Sequence, residues 1–273
     1  MLTITFCSLK TGSGKSTSAF RLAQSLAIGN KKIVLVDLDP AGDITKLLEE
    51  SPSDEMEIDR LNRNPRYIEK IVHKTEKNVS IIKANNKLHS KSIDSINGHI
   101  VQYSDFMTIK NSLSTIAARF DYCIIDTAPT LDLYFIQGVL ASDLLILPTT
   151  PDFFSIDHLQ SCLRSILHSL PPGHPLPQYR ILILQYDHGS KLARTMRAKI
   201  QRTFHGNVFQ TPIPRVQDLH HIASTLFESG DDSDDLAPVN VPVSTYENIL
   251  ERSTYAFINL TQEIFNHEKT QTR

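Results

Sequence analysis

Six short runs in this chain are almost continuously apolar and rich in β-branched residues: "LTITFCS" (2–8), "KIVLVDL" (32–38), "VSIIKA" (79–84), "DYCIIDT" (121–127), "DLLILPT" (143–149) and "YRILILQ" (179–185). A strand without polar alternation is buried on both faces, as in a parallel sheet covered by helices. Helical spacing between the runs predicts helices over 15–29, 103–119, 131–141, 155–170 and 190–204. This alternation predicts an α/β fold with a doubly wound, mostly parallel sheet flanked by helices. The chain reads as a single domain over 1–273, with two interruptions. Residues 50–78 carry mixed charge with Pro52 and Pro65, which suits a helical insertion or loop. Residues 229–243, "SGDDSDDLAPVNVPV", read as an exposed acidic connection. From 244 to 267 the spacing of Tyr246, Ile249, Leu250, Tyr255, Ile258, Leu260 and Ile264 predicts a closing helix packed on the sheet.

Composition removes several classes of function. The net charge of −2 gives no general attraction to nucleic acid or an anionic membrane, so such binding needs a local patch. Cys7, Cys123 and Cys162 are widely separated and odd in number, which fits neither a disulfide framework nor a zinc site. They are expected to pack as small apolar residues in a reducing cytoplasm. The eleven histidines, His220 and His221 included, show no metal-ligand spacing. "MLTITFCS" lacks the features of a signal peptide, and no run approaches the ~18 apolar residues of a membrane span. A cytoplasmic location is the expectation.

Between the first run and the first helix lies "SLKTGSGKST" (8–17). A strand, a glycine-rich turn and a helix form the context in which such a segment cradles phosphate. Gly12 and Gly14 let the backbone turn tightly, so that successive N–H groups face phosphate oxygens, with Thr11 and Ser13 completing the loop. Lys15 reaches the β- and γ-phosphates, and the helix that begins there adds its positive dipole end. Ser16 offers a hydroxyl to Mg²⁺, with Thr17 beside it. The pattern K-x-G-x-G-K-[ST] arises by chance in a chain this long well under ~1% of the time. An ordinary cradle has glycine five residues before Gly14, where this chain has Leu9, and it carries an additional lysine, Lys10.

With that lysine the segment resembles the ParA/MinD family of deviant Walker A P-loop ATPases. The resemblance implies ATP and Mg²⁺ as ligands and a homodimer when ATP is bound. It also implies that Lys10 acts in trans, reaching the phosphates of the partner's ATP. Two nucleotides face to face concentrate negative charge, and a lysine from each side would screen it, making dimerisation depend on nucleotide. Thr11 stands where the family has glycine. A β-branched residue resists positive φ, so either this position is not left-handed here or the loop is altered.

"LVDLDPAGDIT" (35–45) places Asp37 and Asp39 on the same side of a strand end, where ligands bind in open α/β sheets. It resembles the family's D-x-D-P-Q-x-x-x-T switch, which implies that Asp39 orients the attacking water while Asp37 supports Mg²⁺ and the loop. Ala41 replaces the usual glutamine, and no role carries over to it. "DYCIIDTAPT" (121–130) ends an apolar strand in Asp126, which fits a carboxylate that holds the Mg²⁺ shell. Thr127-Ala128-Pro129 match the second switch. "ASDLLILPTTPDFFSIDHL" (141–159) and "FQTPIPRVQDL" (209–219) extend the resemblance, the latter putting Pro214 near the adenine.

ParA types bind DNA nonspecifically, whereas MinD types use a basic amphipathic C-terminal helix on membranes. The C-terminal "LTQEIFNHEKTQTR" lacks the apolar face and cationic rim of such a helix, which argues against membrane attachment. For DNA the candidates are Lys191, Arg194, Arg197, Lys199 and Arg202 on the helix 190–204, with Arg215. The resulting expectation is a ParA-like ATPase, carboxysome-positioning relatives included. Its ATP dimer binds DNA at the nucleoid, and an adaptor of ParB or cargo type stimulates slow hydrolysis. The alternatives are a metabolic P-loop synthetase or ligase, and an ATP-binding regulatory module with little hydrolysis.

Overall fold

The six apolar runs become parallel strands of one seven-stranded sheet. The computed structural model describes residues 1–48, 57–61, 64–76, 78–84, 95–96, 99–215 and 253–266. In chain order the first elements are β1 (Leu2–Phe6), α1 (Lys15–Ile28), β2 (Ile33–Leu38), α2 (Asp43–Leu47), α3 (Glu57–Arg60), α4 (Ile68–Ile71), β3 (His73–Glu76) and β4 (Val79–Ile82). A two-residue ribbon follows, β5 (Ser95–Ile96) and β6 (His99–Ile100). The chain continues with α5 (Tyr103–Phe106), α6 (Thr108–Ile116), β7 (Tyr122–Thr127), α7 (Leu133–Ala141), β8 (Leu144–Thr149), α8 (Ser155–Ser169), β9 (Gln178–Ile183) and α9 (Lys191–Phe204). A last helix, α10, covers 253–266. The acidic connection 229–243, His220 and His221, the start of the expected tail helix and parts of 50–78 lie outside the described residues.

The sheet order is β3-β4-β2-β7-β1-β8-β9, and every neighbour pair is parallel except β3 with β4. Burial explains the missing polar alternation. In β2, Ile33 and Leu35 pack beneath α1 and α10, while Val34 and Val36 pack on the opposite face with residues of α4 and α6. Over β8 and β9 that second face is covered by α7, α8 and α9. Both sides of each central strand are core, so both residue sets must be apolar. The three cysteines are buried and unpaired, as expected of small apolar packers.

Several local expectations change. The predicted helix 103–119 is two helices with a break at Met107, because the segment serves two cores. Phe106 and Met107 pack toward α7 and α8, whereas Ile109, Leu113 and Ile116 pack under β2 and β7. Within 50–78 the chain also forms β3, "HKTE", an antiparallel edge strand whose polar sequence hides it from hydropathy. In α10 the buried face is Ala256, Phe257, Leu260 and Ile264, while Tyr255 points to solvent and is 62% exposed. No described helix is long and apolar enough to cross a membrane.

Candidate functional site

The site begins where β1, between β7 and β8, ends at the C-terminal edge of the sheet. Residues 7–14 then leave the sheet and α1 starts at Lys15. The left-handed positions are Gly12 (φ 69) and Gly14 (φ 84). Thr11 does not have positive φ, so its β-branched side chain is accommodated without strain. Gly14 occupies the N-cap of α1 and supplies no side-chain cap. The first-turn N–H groups therefore stay available to an anion, and Lys15, 6% exposed, stands at the first helical position. The Ser13 hydroxyl is buried in the same loop without a hydrogen-bond partner. Ser16 is half-buried and Thr17 exposed.

Gly14 is also a point of close approach. A Cβ there would lie 2.5 Å from Leu184 Cδ1, just beyond β9. Gly14→Ala combines this overlap with a left-handed φ, and it is expected to cost about 2 kcal/mol of stability. Urea denaturation checks this; an unchanged midpoint would mean that the loop relaxes freely.

Four carboxylates gather beside the loop. Asp126 is the penultimate residue of β7, in register with Phe6 of β1 on one side and Asp37 of β2 on the other. It is fully buried, and neither carboxylate oxygen accepts a hydrogen bond of normal geometry, although the Ser16 hydroxyl approaches it. Burial, then the Asp37 charge, pushes its carboxyl well above the usual carboxylate range. An orphaned buried carboxylate beside a serine hydroxyl and a phosphate cradle fits a hydrated Mg²⁺, an ion that keeps several waters and takes few protein ligands.

Asp37 is placed differently. Its Oδ1 accepts from Asp39 N (3.2 Å), and its Oδ2 accepts from both Thr45 N (3.0 Å) and Thr45 Oγ1 (2.7 Å). Thr45 Oγ1 in turn accepts from Ala84 N at 3.0 Å. Both oxygens of Asp37 thus hold the 39–45 loop against the end of β4. Burial raises its carboxyl to about 6 against these bonds. Asp39 sits on that loop, itself largely buried, with Oδ1 accepting from Ala41 N at 2.9 Å.

Sequence reasoning missed the fourth acid. Asp132 caps α7 by accepting from Phe135 N at 2.9 Å, and its carboxyl is raised by burial, with the charge of Asp39 contributing. The signal for a cap, an acid just before an apolar helical run, was present; its convergence on the crevice was not.

Lys10 stands at the exposed rim of the cradle. Its Nζ lies 3.5 Å from Asp152 Oδ2 in the loop between β8 and α8. Burial works upward on the Asp152 carboxyl. Hydrogen bonds from Thr150, Ser155 and Phe154 N, with the Lys10 ammonium, outweigh it and hold that carboxyl below the usual range. A cavity of about 310 Å³ lies next to this pair, between the loop and α8.

On the other flank, Gln185 has φ 51, a left-handed turn that sequence reasoning did not anticipate at a glutamine. It brings Tyr186 beside Pro214: Tyr186 N donates to Ile213 O (2.9 Å) and Arg215 N donates to Tyr186 O (3.1 Å). Pro214 therefore lies on the same rim as Leu184, which abuts Gly14.

The basic candidates do not act alike. Lys191, Arg194, Lys199, Arg202 and Arg215 are exposed, and Arg194 Nη1 also donates to His188 O at 2.6 Å. Arg197 is half-buried, turned toward the Tyr186–Pro214 rim. Without it the α9 cations cover an arc of about 140°.

Comparison with known proteins places this geometry in context. Residues 1–169 match a family described as an AAA domain (AAA_31). The chain is 29% identical over 269 residues to the virulence plasmid ParA family protein pGP5-D of Chlamydia psittaci, covering 97% of this chain and 95% of that protein. A putative plasmid partition protein from Borrelia burgdorferi B31, solved bound to AMPPNP, superimposes with a TM-score of 0.63 at 27% identity, covering 92% of this chain and 97% of that one. Cobyrinic acid a,c-diamide synthase from Mycobacterium smegmatis, solved with an ATP analog and magnesium, shares the fold. Its TM-score is 0.75 at 18% identity, over 99% of this chain and 96% of that one.

Proposed function

The chain belongs to the AAA-domain family, with ParA-family and plasmid-partition proteins among its relatives, and on that footing we propose that it is a ParA-like, Mg²⁺-dependent ATPase that partitions or positions a cargo. The loop N–H groups, Ser13 and Lys15 bind the phosphates of ATP. Ser16 and Asp126 are the residues that would hold Mg²⁺, which when bound neutralises phosphate charge. Asp39 orients the attacking water, and Asp37, through Thr45, keeps Asp39 in place. Pro214 borders the base. Hydrolysis is slow until an adaptor protein, of ParB or cargo type, stimulates it.

The observation that carries the reading is Lys10, a cation at the exposed rim of the phosphate cradle and held there by one surface ion pair. Nothing in binding its own chain's nucleotide requires a lysine so placed. A second copy, apposed face to face, brings a nucleotide within its reach, and the resulting homodimer doubles the number of α9 surfaces. Lys191, Arg194, Lys199, Arg202 and Arg215 then contact DNA phosphates without sequence preference, which gives nucleoid association.

The test is binding to random-sequence duplex DNA with no nucleotide, ADP or ATP, across a salt series. Binding with ATP alone, weakening steeply as salt rises, is the expected result. Absence of binding in every condition would overturn the DNA-positioning function and leave α9 as a solvated helix.

A further inference from the structure

Arg197 lies at the edge of the basic arc of α9, and its surroundings differ from those of the other α9 cations. Its guanidinium carbon sits 5.3 Å from the centroid of the Tyr186 ring. Its Nη2 donates to Gln210 O at 2.8 Å, and its Nε is enclosed without a partner. From the opposite side, Glu263 of α10 accepts from Gln210 N (2.8 Å) and Thr211 N (2.7 Å). A short stretch of main chain is thus gripped by a cation on a carbonyl and by a carboxylate on two successive N–H groups. Both are charge-assisted bonds, stronger than neutral ones.

The gripped stretch leads straight to the nucleotide rim. Ile213 N donates to Ile183 O (2.8 Å), Tyr186 N donates to Ile213 O, and Arg215 N donates to Tyr186 O. Pro214 lies within this rail, and Leu184 at its base presses on Gly14 of the cradle. Arg197 lies over the ring of Tyr186, the residue that follows the turn at Gln185. The position of the 210–215 rail is therefore set jointly by α9, α10 and the end of β9.

We propose that Arg197, with Glu263 opposite it, is a positioning residue for the base side of the nucleotide site and not a DNA contact. The proposal rests on the reading that Pro214 borders the base of a bound nucleotide. It also makes α9 a mechanical neighbour of that base, because the helix bearing the exposed cations holds the rail through Arg197.

The experiment compares affinities for ATP, ADP and inorganic tripolyphosphate in the wild-type protein and in Arg197→Ala, Arg197→Lys and Glu263→Gln. Tripolyphosphate engages the cradle without a base. Arg197→Ala is expected to weaken ATP and ADP on the order of tenfold, the effect of a lost charge-assisted bond, and to leave tripolyphosphate unchanged. Glu263→Gln should show the same pattern, which keeps the test alive if Arg197→Ala fails to fold. Arg197→Lys should resemble Arg197→Ala, because a compact ammonium cannot both lie over the Tyr186 ring and donate to Gln210 O as the extended guanidinium does. If the salt slope of DNA binding at saturating ATP falls by about one in Arg197→Ala with unchanged ATP affinity, Arg197 is a phosphate contact and the proposal is wrong. Lysine at wild-type ATP affinity would overturn the need for a guanidinium over Tyr186. Equal losses for ATP and tripolyphosphate would also overturn it, since they indicate general damage. If the wild-type protein binds ATP no better than tripolyphosphate, the base-side reading itself fails, separately from the role of Arg197.

Discussion

Lys10→Ala is expected to abolish ATP-dependent self-association, raising the dimer dissociation constant at least ~100-fold, while ATP affinity stays within a few-fold of wild type. The asymmetry follows from where the side chain is. Lys10 is exposed, and its pair with Asp152 at 3.5 Å is a surface contact, 44% and 37% exposed on its two sides. Such pairs contribute about 0–1 kcal/mol, so the monomer loses little when the lysine is cut back. Across a dimer interface the same ammonium would face a desolvated triphosphate. There, removing one member of a close charge pair costs about 2–5 kcal/mol, and two-fold symmetry counts the loss twice. Lys15, buried at the start of α1, would on the proposed reading still bind the chain's own nucleotide. Light scattering with ATP and Mg²⁺ reads the outcome. Dimerisation at wild-type levels would remove the trans role of Lys10.

Asp126→Asn is expected to lower ATP turnover by about 10²–10³-fold and to leave the ligand-free protein as stable as wild type, or more so at alkaline pH. The first effect follows from the proposed role of Asp126 in the metal shell, whose loss would remove an electrostatic contribution of about 3–4 kcal/mol in the transition state. The second comes from the cost of the site itself. Asp126 and Asp37 are buried, adjacent across β2 and β7, and both carboxyls are raised above their unfolded values, Asp37 to about 6. A raised acid contributes its full stability below the unfolded pKa, near 4, and loses it as pH climbs through the folded value. Wild-type stability should therefore fall from pH 5 to pH 8 more than that of Asp126→Asn, in which one buried charge is gone. Urea denaturation at the two pH values and phosphate release with Mg-ATP give the two readouts. Turnover near wild type would show that Asp126 is not the metal-shell carboxylate.

The contrast between Asp37 and Asp39 shows how far the chain could be read in advance. Their spacing puts both at the end of β2, and the structure keeps them there. What distinguishes them is Thr45, which occupies one Asp37 oxygen and is itself fixed by Ala84 N from the end of β4. That partner is 39 residues away from Thr45, and no local pattern announces it. Gln185 and Asp132 were missed for related reasons. A left-handed glutamine has no signature without the strand it turns from, and a helix cap becomes part of a site only when its helix is docked. Met107 breaks a helix because two separate cores claim its flanks.

Arg197 makes the division sharpest. On α9 its charge and spacing are those of Lys191, Arg194, Lys199 and Arg202, and a helical wheel treats all of them alike. By itself the amino-acid sequence determined the strand–loop–helix cradle, its two lysines, the acids at strand ends and the parallel order of layers. These rest on interactions a few residues long: glycine dihedrals, strand burial on two faces and the start of a helix. Only the tertiary structure decided which charges are committed to the fold and which remain at the surface. Arg197 is gripped by Tyr186 and Gln210 from outside its helix, Asp37 by Thr45, and Asp126 is left without a hydrogen bond of normal geometry. A side chain's chemistry depends on what packs against it, and that is set by elements distant in the chain.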